Sequence, residues 1–169
     1  ALDGDAGLRP PSASAAATYV LFDLALGRKP SAMGLSIGAV VGLVAITPAA
    51  GFVSVAHSLC IGTLAALASN LMIQWRSRTS IDDTLDVFPS HGVGGMVGML
   101  MTGVFAPEGL WYGHTELFTK ELTALALISI GVFAATWGLL WVTDRVAPLR
   151  VLAEDEALGL DLSQHSEKL

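Results

Sequence analysis

The sequence predicts an all-α fold, a polytopic bundle of transmembrane helices, on two observations. Of the 169 residues, 53% are hydrophobic and only 14% are charged, whereas an average soluble domain has about 25% charged residues. In addition, three long segments contain no Asp, Glu, Lys or Arg: residues 30–75, 87–107 and 122–143. A helix needs about 20 apolar residues to cross the hydrocarbon core of a bilayer. Segments of this length therefore predict several membrane spans.

About five helices are expected within a transmembrane domain of residues 13–150. The run 30–75 is long enough for two spans, and the segment Thr47–Gly51, which contains Pro48, supplies a turn between them. Asp23 interrupts the first span, so we expect that span to face protein rather than lipid, where a carboxylate is costly. The predicted helices cover residues 13–27, 31–47, 51–74, 86–106 and 119–145.

The distribution of basic residues predicts the orientation in the membrane. Six basic residues fall on one side of the five spans: Arg28, Lys29, Arg76, Arg78, Arg145 and Arg150. Only Arg9 and Lys120 fall on the other side. Cytoplasmic loops of membrane proteins carry an excess of Lys and Arg. We therefore expect a multi-pass protein of the cell membrane with an extracellular junction segment 1–12 and an acidic cytoplasmic tail 151–169.

Composition and motifs also limit the function. A net charge of −6 without a basic patch argues against nucleic-acid binding. The single Cys60 excludes an intrachain disulfide and a CxxC metal site. The sequence contains no recognisable Ser-His-Asp arrangement, metal-ligand cluster or phosphate-binding loop, so we expect neither an enzyme nor a bound metal or cofactor.

Two histidines lie within predicted spans, where ionisable residues are candidates for function. His91 would share a helical face with small or apolar residues, which suits the wall of a narrow pore: Val87, Gly94, Gly95 and Gly98. An imidazole that hydrogen-bonds to a neighbouring span fits this pattern equally well. For His57 we favour a buried imidazole that hydrogen-bonds to Ser54, Ser58 or a backbone carbonyl.

Glycines and acidic residues recur at positions that predict packing and capping. Glycines four residues apart let helix backbones approach closely, and they occur at Gly34, Gly38 and Gly42 and again at Gly94 and Gly98. The acidic run Ile81–Asp86 enters the fourth span, where carboxylates can cap the helix N-terminus. A mouth that attracts cations is a compatible alternative for these carboxylates. Pro89 indicates a helix start or a kink at this entry.

Three segments resemble the ammonium transporter (Amt/Mep/Rh) family. Asp82–Gly95 resembles the histidine-bearing motif of the family, and Gly42–Gly51 resembles the segment two spans earlier. Gly159–His165 resembles the cytoplasmic C-terminus of the family. The three segments occur in the family's order, and the resemblance covers the chain from about residue 15 to its end.

The resemblance implies a fold of eleven spans with inverted repeats, assembled as a homotrimer with one pore in each subunit. The five spans predicted here would be spans seven to eleven. The implied function is nitrogen uptake through an ammonium/ammonia channel or transporter, in which a pair of histidines lines a hydrophobic pore. His91 matches the second histidine of that pair, Val40 and Val87 match apolar positions of the pore wall, and Asp83 and Asp86 match acidic positions near the cytoplasmic end that we expect to be structural.

The resemblance leaves alternatives open. The first pore histidine and the outer aromatic ammonium site belong to the family's N-terminal half, which has no match in these residues. The chain is therefore either part of a longer polypeptide or a half-length protein, and a remnant that does not transport stays possible. A further alternative is an ammonium sensor of the same fold that signals through its tail. The family also implies a partner, a regulatory protein of the PII type, at the cytoplasmic side.

Overall fold

The structure is a computed structural model, and it describes residues 4–165. Within these residues all regular structure is helical, which confirms the all-α prediction. The residues form two compact units, one that ends at Leu125 and one that begins at Ala126. The predicted segments 1–12 and 151–169 are described only in part, because residues 1–3 and 166–169 lie outside the described residues.

The described residues contain seven α-helices. They are α1 (Gly4–Ala25), α2 (Ala32–Ile46), α3 (Val55–Arg76), α4 (Gly94–Phe105), α5 (Glu116–Val146), α6 (Ala153–Leu158) and α7 (Leu160–His165). A π-helix, Phe88–Val93, runs directly into α4. Short 3-10 helices cover Thr47–Ala49 and Leu110–Tyr112. Four of these helical segments lie within a few residues of the predicted helices 31–47, 51–74, 86–106 and 119–145: α2, α3, the π-helix with α4, and α5.

Local sequence explains where α2 and α3 begin and where α2 ends. The hydroxyl of Ser31 accepts a hydrogen bond from the N–H of Gly34 at 2.9 Å, which caps α2. The hydroxyl of Ser54 caps α3 in the same way and accepts from the N–H of His57 at 3.3 Å. Such caps satisfy N–H groups that have no partner within the helix. α2 ends before Pro48. Proline disrupts the interior of an α-helix, because it has no backbone N–H and its ring clashes with the preceding turn.

Within the described residues, three helical segments are long and apolar enough to cross a membrane: Val55–Arg76, Phe88–Tyr112 and Glu116–Val146. The predicted first and second spans do not reach that standard. α2 is apolar but has only 15 residues, or roughly 22 Å of helix. The 3-10 helix that follows it adds roughly 6 Å. α1 begins nine residues before the predicted start and includes Arg9, Pro10 and Pro11 in addition to Asp23.

The polar side chains of α1 are used in contacts with α2 and α3. Three hydrogen bonds join the helices: Ser12 Oγ to the carbonyl of Ala39 at 3.1 Å, Ser14 Oγ to the carbonyl of Leu59 at 3.0 Å, and Tyr19 OH with Ser69 Oγ at 2.6 Å. Hydrogen bonds of this kind stabilise helix association within a bilayer. The prediction that α1 faces protein is therefore consistent with its packing between α2 and α3.

Glycines bring the helix backbones into direct contact. A Cβ added at Gly42 or Gly62 would lie 2.3 Å from the carbonyl oxygen of Pro11 in α1. A Cβ added at Gly98 in α4 would lie 2.1 Å from the carbonyl oxygen of Ala45 in α2. Real Cβ atoms essentially never approach another heavy atom this closely. The packing role predicted for Gly42 and Gly98 agrees with these contacts.

The other predicted packing glycines behave differently from one another. A Cβ at Gly38 would lie 2.9 Å from Cδ2 of Tyr19, which is also a close helix contact. At Gly94 the nearest atom, Cγ1 of Val41, is 3.5 Å away, an ordinary van der Waals distance. At Gly34 a Cβ would lie 3.2 Å from the hydroxyl of Ser31, the N-cap residue of the same helix, and 3.6 Å from Oδ2 of Asp23 in α1, an ordinary van der Waals distance.

The second unit contains the rest of α5 and the short helices α6 and α7. The guanidinium carbon of Arg145 lies 4.3 Å from the ring centre of Trp141 one turn earlier, a cation–π contact. Arg150 and Glu156 form an exposed ion pair at 3.5 Å. Gly159, with φ of +97°, separates α6 from α7. The predicted tail is thus partly helical within the residues that the structure describes.

Candidate functional site

His91 lies in the π-helix Phe88–Val93, and its side chain is exposed on the first unit. The neighbouring Pro89 and Ser90 are buried. Single-turn π segments within α-helices are rare and occur frequently at functional sites. Pro89, which has no N–H to donate, lies where the π-helix replaces regular α-helix. The sequence indicated a start or a kink at Pro89 but gave no sign of a π-helix.

Asp83 caps the start of the π-helix with both of its carboxylate oxygens. Oδ1 accepts a hydrogen bond from the N–H of Val87 at 2.8 Å. Oδ2 accepts from the N–H of Phe88 at 2.9 Å. These amide groups have no partner further back in the helix, and a charged acceptor makes each bond stronger than a neutral one would. Capping of the helix N-terminus was one of the two roles expected for the acidic run Ile81–Asp86, and here Asp83 supplies the capping carboxylate.

Asp86 connects the same helix start to the end of α3. Its carboxylate forms an ion pair and hydrogen bond with the guanidinium of Arg76. The two side chains are only 16% and 24% exposed, so the pair is partly shielded from water. Asp86 has φ of +51°, the left-handed conformation, and within the described residues it is the only non-glycine with a positive φ. Aspartate tolerates this conformation better than most residues.

Two buried polar atoms near this helix start have no hydrogen-bond partner within the described residues. They are Nε of Arg76 and Oγ of Ser90. Arg76 is the last residue of α3, and Ser90 directly precedes His91 in the π-helix. Buried polar groups are usually paired, by protein or by ordered water.

Val40 and Val87 are 39% and 51% exposed, respectively, and are accessible like His91. Val40 lies in α2 and Val87 directly precedes the π-helix. α2 packs against both the π-helix and α4. The elements that carry the three predicted pore residues are therefore neighbours in the first unit. Among the side chains that the structure describes, those of residues 8–165, no three His, Cys, Asp or Glu are grouped closely enough to hold a metal ion.

His57 does not make the side-chain hydrogen bonds that we expected. Its ring stacks on Phe105, with centres 4.7 Å apart and planes 14° apart, and meets the edge of Trp111 at 6.0 Å. Ser54 accepts from the backbone N–H of His57, and Ser58 donates to the carbonyl of Val55. Sequence reasoning missed this aromatic cluster because Phe105 and Trp111 are far from His57 along the chain.

Comparison with known proteins settles the family. The sequence model of the Ammonium Transporter Family matches residues 11–169. This chain belongs to the ammonium transporter family. The resemblance predicted from three segments is thereby confirmed. Family membership and the three helical segments of sufficient length and apolarity among the described residues indicate a multi-pass membrane protein.

Individual relatives agree in sequence and in structure. The chain is 37% identical to the ammonium transporter of Bacillus subtilis over 93% of its own length and 41% of that protein. The crystal structure of Candida albicans Mep2 matches with a TM-score of 0.83 at 34% identity, over 94% of this chain and 38% of that one. A structure titled Sensor Amt Protein matches with a TM-score of 0.75 at 27% identity, over 94% of this chain and 40% of that one.

These matches confirm the predicted fold class, since the described helices follow the ammonium transporter fold. They also show what share of each relative's length this chain covers. The chain spans 41% of the Bacillus subtilis transporter and 38% of the Mep2 chain, well under half of each.

Proposed function

We propose that this chain is the C-terminal part of the pore-forming subunit of an ammonium/ammonia channel or transporter, with His91 in the pore wall. The observation that carries the proposal is the placement of His91. Its exposed imidazole stands on a π-helical turn that is capped by Asp83 and anchored through Asp86, within the segment that resembles the family's histidine motif.

The chemistry of the exposed residues supports this role. A neutral imidazole has one hydrogen-bond donor and one acceptor, so it can hydrogen-bond to ammonia while uncharged, and it is a cation only while it holds an additional proton. Val40 and Val87 offer apolar surface beside it. An apolar lumen opposes a bare cation by desolvation, whereas a small neutral amine loses much less. Together these residues form one wall of a pore, and the remaining walls would come from residues outside this chain.

The rest of the proposal follows from family membership and from the charge pattern. We propose that the complete protein is a homotrimer in the cell membrane, with the tail of residues 151–169 in the cytoplasm and available to a regulatory protein of the PII type. Asp83 and Asp86 are proposed to be structural, because their carboxylates are occupied by backbone N–H groups and by Arg76 respectively.

The test is uptake of radiolabelled methylammonium by cells that express the complete native protein. His91→Ala is expected to change the uptake rate or the selectivity for ammonium, measured per amount of protein in the membrane. His114→Ala is the matched control, because His114 lies in the loop before α5. Unchanged uptake and selectivity in His91→Ala would refute the role of His91.

The likeness to a sensor of the Amt fold supports a second candidate, an ammonium-sensing protein that signals through its tail. The same assay separates the two functions. Correctly localised wild-type protein that shows no uptake, yet gains thermal stability in ammonium chloride relative to sodium chloride, would favour the sensor. Protein that shows neither uptake nor stabilisation would favour a remnant without transport.

A further inference from the structure

An ion pair joins the end of α3 to the start of the helix that carries His91. Arg76 is the last residue of α3, and Asp86 lies two residues before the π-helix. The intervening segment 77–85 is mostly exposed and contains no regular helix. The Arg76–Asp86 contact is therefore a polar side-chain link between the end of α3 and the start of the π-helix, in addition to the packing of α3 against the π-helix.

The backbone of Asp86 determines the direction in which the π-helix starts. Its N–H donates to the carbonyl of Asp83 at 3.1 Å, and its carbonyl accepts from the N–H of Ser90 at 3.0 Å. Between these two bonds φ has the positive value of +51°. A switch of Asp86 to the ordinary right-handed or extended conformation would break this arrangement and redirect the residues that follow, including His91.

The π-helix depends on such support because its own geometry is weak. π-helices are rare and short, and Pro89 within this one cannot donate a backbone hydrogen bond. The contacts that fix its start therefore come from outside the helix: the carboxylate of Asp83 and the ion pair of Asp86.

We infer that Arg76 is a positioning residue for His91. Its guanidinium holds Asp86 in the left-handed conformation, and this conformation sets the rotational register at which the π-helix presents the imidazole. The inference rests on the proposed function of His91 in the pore. Arg76 itself need not contact the permeating molecule, because it acts through the backbone of Asp86.

The first experiment compares single and double variants of the complete native protein in methylammonium uptake, normalised to protein in the membrane. Arg76→Ala is expected to lower uptake several-fold, whereas Arg78→Ala, an exposed arginine two residues further on, is expected to leave it unchanged. In the His91→Ala background, Arg76→Ala should cause little further change. Equal fold-losses in both backgrounds would overturn the inference, since a merely structural arginine would act independently of His91.

The second experiment tests the conformation directly. Glycine adopts positive φ without the steric penalty that other residues have, so Asp86→Gly should restore uptake in the Arg76→Ala variant, whereas Asp86→Ala should not. Equal uptake in the two double variants would overturn the inference. Arg76→Lys keeps the charge and should retain most of the activity. If Arg76→Ala does not reach the membrane, the effect of Arg76→Lys is compared instead in the wild-type and His91→Ala backgrounds.

The outcomes also separate this inference from the proposed function. If His91→Ala alone leaves uptake and selectivity unchanged, the proposed role of His91 fails and the inference fails with it. If His91→Ala changes uptake but Arg76→Ala does not, or is not rescued by Asp86→Gly, only the inference fails.

Discussion

Gly98 makes the tightest helix contact in the described structure, and its replacement by alanine has a result that can be worked out from distances. The new Cβ would lie 2.1 Å from the carbonyl oxygen of Ala45 and 2.8 Å from its carbonyl carbon and Cα. All three are backbone atoms, so no side chain can rotate away. The Cβ–oxygen distance must therefore grow from 2.1 Å to at least 3.4 Å, an ordinary van der Waals distance, so α4 must move away from α2 by about 1.3 Å or more. Overpacking of this kind costs typically about 1–3 kcal/mol, and occasionally more.

Gly95→Ala is the matched control, because it adds the same methyl group three residues earlier on the same helix. There the nearest atom, Cγ1 of Val44, is 3.8 Å from the new Cβ, which is an ordinary contact. Alanine also favours a helix over glycine by roughly 1 kcal/mol. We therefore expect Gly95→Ala to be neutral or slightly stabilising, while Gly98→Ala is destabilising.

The measurement is the midpoint temperature of thermal unfolding of the purified native protein in detergent. Unfolding is detected as loss of the monodisperse peak in size-exclusion chromatography. Gly98→Ala should unfold at a clearly lower temperature than wild type, and Gly95→Ala should not. Equal midpoints for the two variants would refute the reasoning, because they would mean that α2 and α4 separate without cost or are not in backbone contact.

Two further substitutions test the capping and the polar contacts of the first unit by the same unfolding assay. Asp83→Ala removes the acceptor of the Val87 and Phe88 amides and should lower the free energy of unfolding by about 0.5–2 kcal/mol. Asp82→Ala, at an exposed neighbour, is the control and should lower it much less. Equal losses would contradict the capping role. Tyr19→Phe removes the buried 2.6 Å hydrogen bond to Ser69 and should lower the free energy of unfolding by about 0.5–1.5 kcal/mol. Tyr112→Phe, at an exposed tyrosine, serves as its control. A Tyr19→Phe protein as stable as wild type would contradict that contact.

Apolar patterning predicted the apolar helices over most of their length, but it predicted only the C-terminal part of the polar helix α1. α2, α3 and α5 begin or end within a few residues of the predicted positions because long uncharged runs mark them. The N-terminal part of α1 was not predicted, since it contains Arg9 and two prolines. Its place in the bundle depends on hydrogen bonds to α2 and α3, and a search for apolar residues does not detect such bonds.

The sequence indicated what the acidic residues at this helix start could do, but it did not reveal the geometry of the segment. The acidic run indicated capping, and Asp83 has that position. The partner of Asp86 could not be predicted, because Arg76 lies ten residues earlier and belongs to another helix. The positive φ of Asp86 was equally hidden, since glycine is the usual signal for that conformation. Contacts between distant segments, such as the stacking of His57 on Phe105, leave no pattern in a single sequence.

The polar composition of α1 has a consequence for the order in which the protein is built. Polar and charged side chains of a lone helix are costly in the hydrocarbon core, because they find no hydrogen-bond partners there. α1 carries Asp23 and several hydroxyl side chains, whereas α3 is apolar enough to enter the bilayer alone. We therefore expect α1 to reach its final place only once α2 and α3 are there to form hydrogen bonds with it. For this helix, insertion into the membrane and tertiary folding are one event.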